Sequence, residues 1–314
     1  MNKVLVTGAS GFVGRTLCEM LVSKGVLVTA AVRNTDIEGC VFIGEINAQT
    51  EWADVLVGVD CVVHLAARVH VMNETSSNPL EDYRCVNVKG TQKLARDAAK
   101  AGVKRLVYLS TIKVNGENTF ENPFTEKDIP HPVGPYALSK MEAENSLRQI
   151  SDDTGMSVVI IRPVLVYGPG VKANFQTMMR WLVRGVPLPL GAIHNKRSLV
   201  ALDNLVDLIA TCIDHPAAAN QTFLVSDDED LSSTELLRRM AGSLDKRVCF
   251  LPVPAVLLQA GAVLLGRRDV AQRLLESLQV DISQTKAILG WTPPVSVDDA
   301  LKKTAEDFLS RASE

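Results

Sequence analysis

The sequence predicts an α/β fold, a Rossmann-like doubly wound parallel sheet followed by a smaller C-terminal substrate-binding region. Three observations predict it. Short β-branched runs recur through the first half and are apolar throughout, as strands buried on both faces must be. Helical patterns alternate with them. A glycine-rich turn, Gly8-Ala-Ser-Gly11-Phe-Val-Gly14, joins the first run to the first helical pattern.

Taken in order, Lys3–Thr7 is the first strand, and Phe12–Lys24 places Val13, Leu17, Met20 and Leu21 at helical spacing before Gly25 stops it. Val26–Val32, Val41–Gly44, Cys61–Ala67, Arg105–Ser110 and Ser157–Arg162 continue the strand series, with helices expected at about Asn87–Ala101 and Tyr136–Thr154. After Gly168-Pro-Gly170 prolines mark frequent turns. The expected division is a dinucleotide-binding unit over 1–169, rejoined by about 198–214, and a mainly substrate-side region over 170–314.

Composition narrows the function. The chain has 314 residues, 46% apolar and 22% charged, with a net charge of -3. Its basic residues are interspersed with acids, which argues against a nucleic-acid partner. The six cysteines show no CxxC pair and no metal-ligand spacing, so free, mostly buried thiols in a reducing cytoplasm are expected, with no metal. No signal-peptide pattern opens the sequence. The uncharged run Leu251–Gly266, followed by Arg267-Arg268, is too short to span a bilayer and contains Pro252 and Pro254. It is expected as a buried helix or lid, without membrane insertion.

Gly8, Gly11 and Gly14, between strand and helix, let backbone N–H groups approach a pyrophosphate at a helix N-terminus. An acid about 20 residues past the glycines would select NAD by its ribose hydroxyls. The corresponding segment reads Ala31-Val-Arg33-Asn34. A guanidinium suits a 2′-phosphate, so Arg33 favours NADP(H), with NAD the alternative if Asp36 reaches the ribose. Glu45 and Ile46 fall where an adenine edge is met, and Ala66 and Ala67 where the cofactor lies close. His64 is read as a packed core residue.

Tyr136 and Lys140 stand one helical turn apart, just after Ser110-Thr111 at a strand end. Moving a hydride to a carbonyl needs a proton donor at that oxygen. A lysine ammonium can stabilise the phenolate that a tyrosine leaves behind, and Ser110 or Thr111 can share the oxygen. Preceded by the glycine turn, this constellation reads as a nicotinamide-dependent oxidoreductase.

These residues together resemble the extended short-chain dehydrogenase/reductases, over nearly the whole chain. Gly8, Gly11 and Gly14 match the family glycines, Thr111 the catalytic Ser/Thr, and Tyr136 and Lys140 the catalytic pair. Asn87 matches the Asn beside the site, and Arg162-Pro163 with Val166-Tyr-Gly-Pro-Gly170 the strand leading to the substrate region. The resemblance implies that Ser10, Phe12, Val13, Leu65 and Pro163 also line the cofactor, and that the protein is a homodimer packed through paired helices.

Within the family the similarity is to nucleotide-sugar enzymes, UDP-sugar 4-epimerases and 4-keto-sugar reductases of surface-polysaccharide synthesis. It implies that Asn174 and Phe175 contact the nucleotide, that Arg197 binds its diphosphate, and that Lys172 also lies on the substrate side. The first reading is an NADPH-dependent reductase of a UDP-4-keto-6-deoxy-(N-acetyl)hexosamine. The second is a UDP-hexose or UDP-N-acetylhexosamine 4-epimerase with tightly held NAD, although Leu165 stands where UDP-galactose epimerases carry an Asn for the substrate phosphate. A non-catalytic dinucleotide sensor is the distant third, since such proteins commonly lose the Tyr or Lys retained here.

Overall fold

Seven parallel strands form the spine of the computed structural model, which describes residues 3–34, 39–69, 78–264, 266 and 268–312. The strands are β1 (Lys3–Thr7), β2 (Leu27–Val32), β3 (Val41–Phe42), β4 (Cys61–His64), β5 (Arg105–Leu109), β6 (Ser157–Pro163), β7 (Leu165–Tyr167), β8 (Arg197–Ala201), β9 (Thr222–Val225) and β10 (Asp230–Leu231). The helices are α1 (Phe12–Ser23), α2 (Pro79–Arg84), α3 (Thr91–Lys100), α4 (Gly134–Thr154), α5 (Ala173–Val183), α6 (Leu202–Asp214), α7 (Ser233–Ser243), α8 (Ala255–Leu264), α9 (Arg268–Leu275), α10 (Ser283–Leu289) and α11 (Val297–Ala312).

The main sheet runs β3-β2-β1-β4-β5-β6-β9, the order of a doubly wound Rossmann sheet. Alternate residues of each central strand point to opposite faces. Val4, Val6, Val63 and Val107 enter a core beneath α1 and α6, and Leu5, Val62, Leu106 and Tyr108 one beneath α3 and α4. This is why the strands read as apolar throughout. A second, smaller sheet, β10-β8-β7, carries the substrate-side core of Tyr167, Phe175, Met179, Leu182, Leu199, Leu237 and Leu301.

Several expectations shift. The third strand is only Val41–Phe42. The helix expected from Asn87 starts at Pro79, capped by the Asn78 side chain, and passes through a π-helical turn, Cys85–Gly90, before α3. Of the stretch 198–214, α6 packs on the main sheet while β8 joins the small one. The chain also returns twice more: β9 pairs in parallel with β6, and Leu278, Val280, Ile282, Leu289 and Trp291 enter the core under α6.

The run after Leu251 differs most. It forms α8, none of whose residues is buried. Asp36 and Arg267 lie outside the described residues. All six cysteines are free; Cys61 and Cys212 are buried, but Cys85 and Cys249 are exposed, contrary to the expectation of mostly buried thiols. Among the described residues no helix is long and apolar enough to cross a membrane.

Candidate active site

The cleft opens at the carboxyl ends of β1, β4, β5 and β6, where a doubly wound sheet binds its ligand. At its floor, Gly8 leaves β1 with φ at 70°, in the left-handed region that favours glycine. A Cβ on Gly8 would stand 2.8 Å from the Ala66 nitrogen, and one on Gly14 would stand 2.2 Å from the Gly8 oxygen. Bare glycines thus let the loop, α1 and the end of β4 close on one another. Gly11 caps α1 without a side-chain hydrogen bond, and no acid lies in the first turn. The unpaired N–H groups and positive dipole end suit a pyrophosphate, so the cradle fits a nicotinamide dinucleotide. Ser10 is exposed at its lip, and Phe12 and Val13 are half-buried.

His64 reinforces the floor. Its Nδ1 lies 2.6 Å from Thr7 Oγ1 and its Nε2 2.9 Å from Thr91 Oγ1, tying β1, β4 and α3 together. Burial lowers its pKa to about 3, aided by the Lys140 charge, so it is a neutral bridge rather than a catalyst.

Leu65, Ala66 and Ala67 form the half-buried wall beyond β4. Asn87 fastens this wall from inside the π-helical turn: its Oδ1 accepts from the Arg68 N–H, and its Nδ2 donates to the Arg68 carbonyl and to Ser139 Oγ. Its amide therefore orients protein. π-Turns often mark such functional positions. At the adenosine end Ile46 is buried against Gly90, whereas Arg33 and Glu45 form an exposed pair at 3.5 Å. The Arg33 guanidinium thus faces a carboxylate that would repel a 2′-phosphate.

At the reacting end α4 presents Tyr136 and Lys140. Tyr136 stands near Thr111 and beside Tyr83, whose ring meets it edge-on at 6.0 Å. Burial pushes the Tyr136 phenol up to about 12, with the nearby Thr111 hydroxyl opposing that rise. Lys140 donates to the Leu109 carbonyl at 2.7 Å and lies 4.0 Å from the centre of the Tyr108 ring. Burial lowers it to about 7, against the pull of the Glu144 charge. Pro163 is buried at the end of β6, across from Val225.

Ser110 requires a correction. Its Oγ donates to Glu144 Oε1 at 2.6 Å, deep in the protein, so the hydroxyl expected to share the substrate oxygen is committed elsewhere. Glu144 was not anticipated. It takes two hydrogen bonds from Arg162, at 2.9 and 2.6 Å, and Arg162 also donates to Asn115 Oδ1. Its sequence signal is its place one turn beyond Lys140 on the face that carries Tyr136.

On the substrate side Lys172 and Asn174 are exposed at the start of α5. Phe175 corrects a second expectation: it is buried and stacks on Tyr167 with ring centroids 5.3 Å apart, as part of the small core. Arg197 opens β8 and donates to the Glu276 carbonyl at 3.1 Å. Burial lowers its pKa, Glu276 raises it, and the nearby Arg273 guanidinium of α9 lowers it again. Arg273, missed from the sequence, thus sets a second cation close to Arg197. Among the described residues no cluster of His, Cys, Asp or Glu is placed to hold a metal.

Fold and cleft together define a nicotinamide-dependent short-chain dehydrogenase/reductase of the extended type. The model of the NAD dependent epimerase/dehydratase family matches residues 4–226, and the chain belongs to that family. It is 50% identical over 98% of its length to a UDP-glucose 4-epimerase of Vibrio cholerae, covering 96% of that protein. It is 30% identical to the N-acetyl-alpha-D-glucosaminyl-diphospho-ditrans,octacis-undecaprenol 4-epimerase of Escherichia coli O157:H7, over 81% of this chain and 76% of that one. Among solved structures it resembles MoeE5 in complex with UDP-glucose and NAD, with a TM-score of 0.77, 25% identity and full coverage of both chains.

Proposed function

We propose that the protein is a UDP-sugar 4-epimerase that retains NAD through its cycle. The observation that carries this reading over the reductase is the 50% identity to a UDP-glucose 4-epimerase along almost the whole chain. The geometry is compatible with it. Tyr136 takes the proton of the sugar C4 hydroxyl during oxidation and returns it when the C4 ketone is reduced, while Thr111 bonds the same oxygen. With Tyr136 held up at about 12, its phenolate needs a positive charge, which Lys140, one turn further on, supplies in its protonated form. When bound, the nicotinamide supplies the hydride acceptor and donor. Oxidation and reduction cancel, so nothing requires the cofactor to leave.

The Arg33–Glu45 pair supports NAD over the NADP(H) first inferred from Arg33. Arg197, seconded by Arg273, is assigned to the UDP diphosphate, replacing the contact that Leu165 cannot make. The homodimer implied by the family would use α3 and α4, which pack side by side.

The test is to purify the protein without added nicotinamide and offer UDP-glucose and UDP-N-acetylglucosamine. Stoichiometric NAD and formation of the 4-epimer are expected. Tyr136→Phe should keep the NAD and lower turnover by about 10² or more, the scale of a lost general acid–base group. Cofactor-free protein that oxidises NADPH with a UDP-4-keto-6-deoxy sugar, and epimerises nothing, would establish the reductase instead.

A further inference from the structure

Helix α8 turns an apolar stripe toward solvent. Val256, Ala260, Val263 and Leu264 follow the i, i+4, i+7, i+8 spacing that normally faces a core, yet all four are exposed, with Val256 at 75% and Leu264 at 87%. Leu257 adds 63% beside them, and Leu251 is exposed just before the helix. From Leu251 to Leu264 there is no charged residue. Only Leu258 of this helix packs on the substrate-side core. An apolar patch of this kind marks a contact surface.

The wall from which the chain enters α8 is basic. Arg238, Lys246 and Arg247, with Val248, Cys249 and Phe250, line an open cleft of about 660 Å³. The chain runs from Phe250 through Leu251 straight into α8. The acids nearby are Asp245, next in the chain, and Glu235, whose carboxylate is engaged by the Ser232 N–H. A protein of net charge -3 therefore gathers three cations beside its most exposed apolar helix.

We propose that α8 and this basic cleft dock on the surface of an anionic lipid bilayer, with α8 lying in the interface. The combination is that of an interfacial anchor: an apolar face enters the headgroup–acyl boundary while basic side chains meet anionic headgroups. A second copy of the chain is the poorer occupant. A ten-residue helix is about 15 Å long and about 10 Å across, well short of the about 800 Å² that each side of a stable dimer covers. Two copies would also bring like charges together. Because α9, which packs against α8, carries Arg273, docking would set the substrate side of the cleft toward the bilayer.

The experiment is co-sedimentation of the full chain with phosphatidylcholine–phosphatidylglycerol vesicles and with pure phosphatidylcholine vesicles. The wild type should pellet with the anionic vesicles, less with the neutral ones, and less as salt rises. Combined Val256→Ser, Leu257→Ser and Leu264→Ser should weaken binding about tenfold or more, with the thermal melt unchanged. Lys246→Gln with Arg247→Gln should abolish the preference for anionic vesicles. If the triple variant does not fold, Leu257→Trp provides the reading, its fluorescence quenched by lipids brominated along the acyl chain. Wild-type protein that stays in the supernatant with both vesicles would overturn the proposal. So would equal pelleting of a folded triple variant, or a sedimentation-velocity species larger than the triple variant's without vesicle binding.

Discussion

The two ends of the cofactor cleft each hold an arginine–carboxylate pair, in opposite surroundings. At the reacting end the Arg162 and Glu144 side chains are 3% and 0% exposed, and Ser110, Asn115 and Arg148 complete their hydrogen bonding. At the adenosine end Arg33 and Glu45 are 67% and 71% exposed and 3.5 Å apart, with water free to screen them. Exposed pairs contribute about 0–1 kcal/mol. Removing one member of a buried pair costs about 3–5 kcal/mol, because the other charge is stranded without water. The same chemistry thus fixes position at one end, where a proton must be delivered to a defined atom. At the other, on the function proposed above, it would only bias which dinucleotide is preferred.

The largest expected effect follows from breaking the buried pair. Glu144→Ala should lower the unfolding free energy by about 3–5 kcal/mol, measured by urea denaturation. A loss below about 1 kcal/mol would place the two pairs in one class and end the comparison.

A second measurement sharpens it with His64, buried beneath the reacting end. Its pKa is lowered from 6.5 to about 3 in the folded protein, so below pH 6.5 the unfolded chain binds a proton that the folded one does not. Stability should therefore fall as the pH drops from about 6.5, by up to about 1.4 kcal/mol per pH unit from this residue. Urea midpoints between pH 7 and 5 should slope less in His64→Asn; equal slopes would mean that His64 is not the group responsible.

The smallest effect belongs to the exposed pair. Glu45→Ala should change stability by less than about 1 kcal/mol and improve NADP binding roughly fivefold, by freeing Arg33 from its acid. Urea denaturation checks the first statement, and calorimetric titration of cofactor-stripped protein checks the second. No gain for NADP would show that Glu45 plays no part in choosing the cofactor.

What the sequence disclosed follows the same division. The glycine turn, Tyr136, Lys140 and strands such as β1 and β6 were legible because local patterns encode them, in absent side chains, helical spacing and unbroken apolar runs. Glu144 was not, since a glutamate in a helix looks the same whether it faces water or a buried guanidinium. Phe175 was assigned outward by analogy, but its ring is taken by Tyr167. Ser110 and Thr111 look equivalent side by side just past β5, yet Ser110 donates inward to Glu144 while Thr111 caps the turn that follows. The strand β9 is four residues long and is defined by pairing with β6 across a long excursion, which no local window contains.

That late return of β9 bears on how the protein can be made. The β6 edge, with Ile160 and Ile161 fully enclosed in the finished molecule, has no neighbour until residues 222–225 arrive. During synthesis the growing chain must carry this apolar, unpaired edge while the elements after it emerge. An unpaired apolar edge is a template for association with other chains. A fragment ending near Gly170 would therefore keep the whole glycine cradle and the Tyr136–Lys140 pair and still present a sticky margin. The cofactor half of this protein owes the closure of its sheet edge to a strand encoded in the other half.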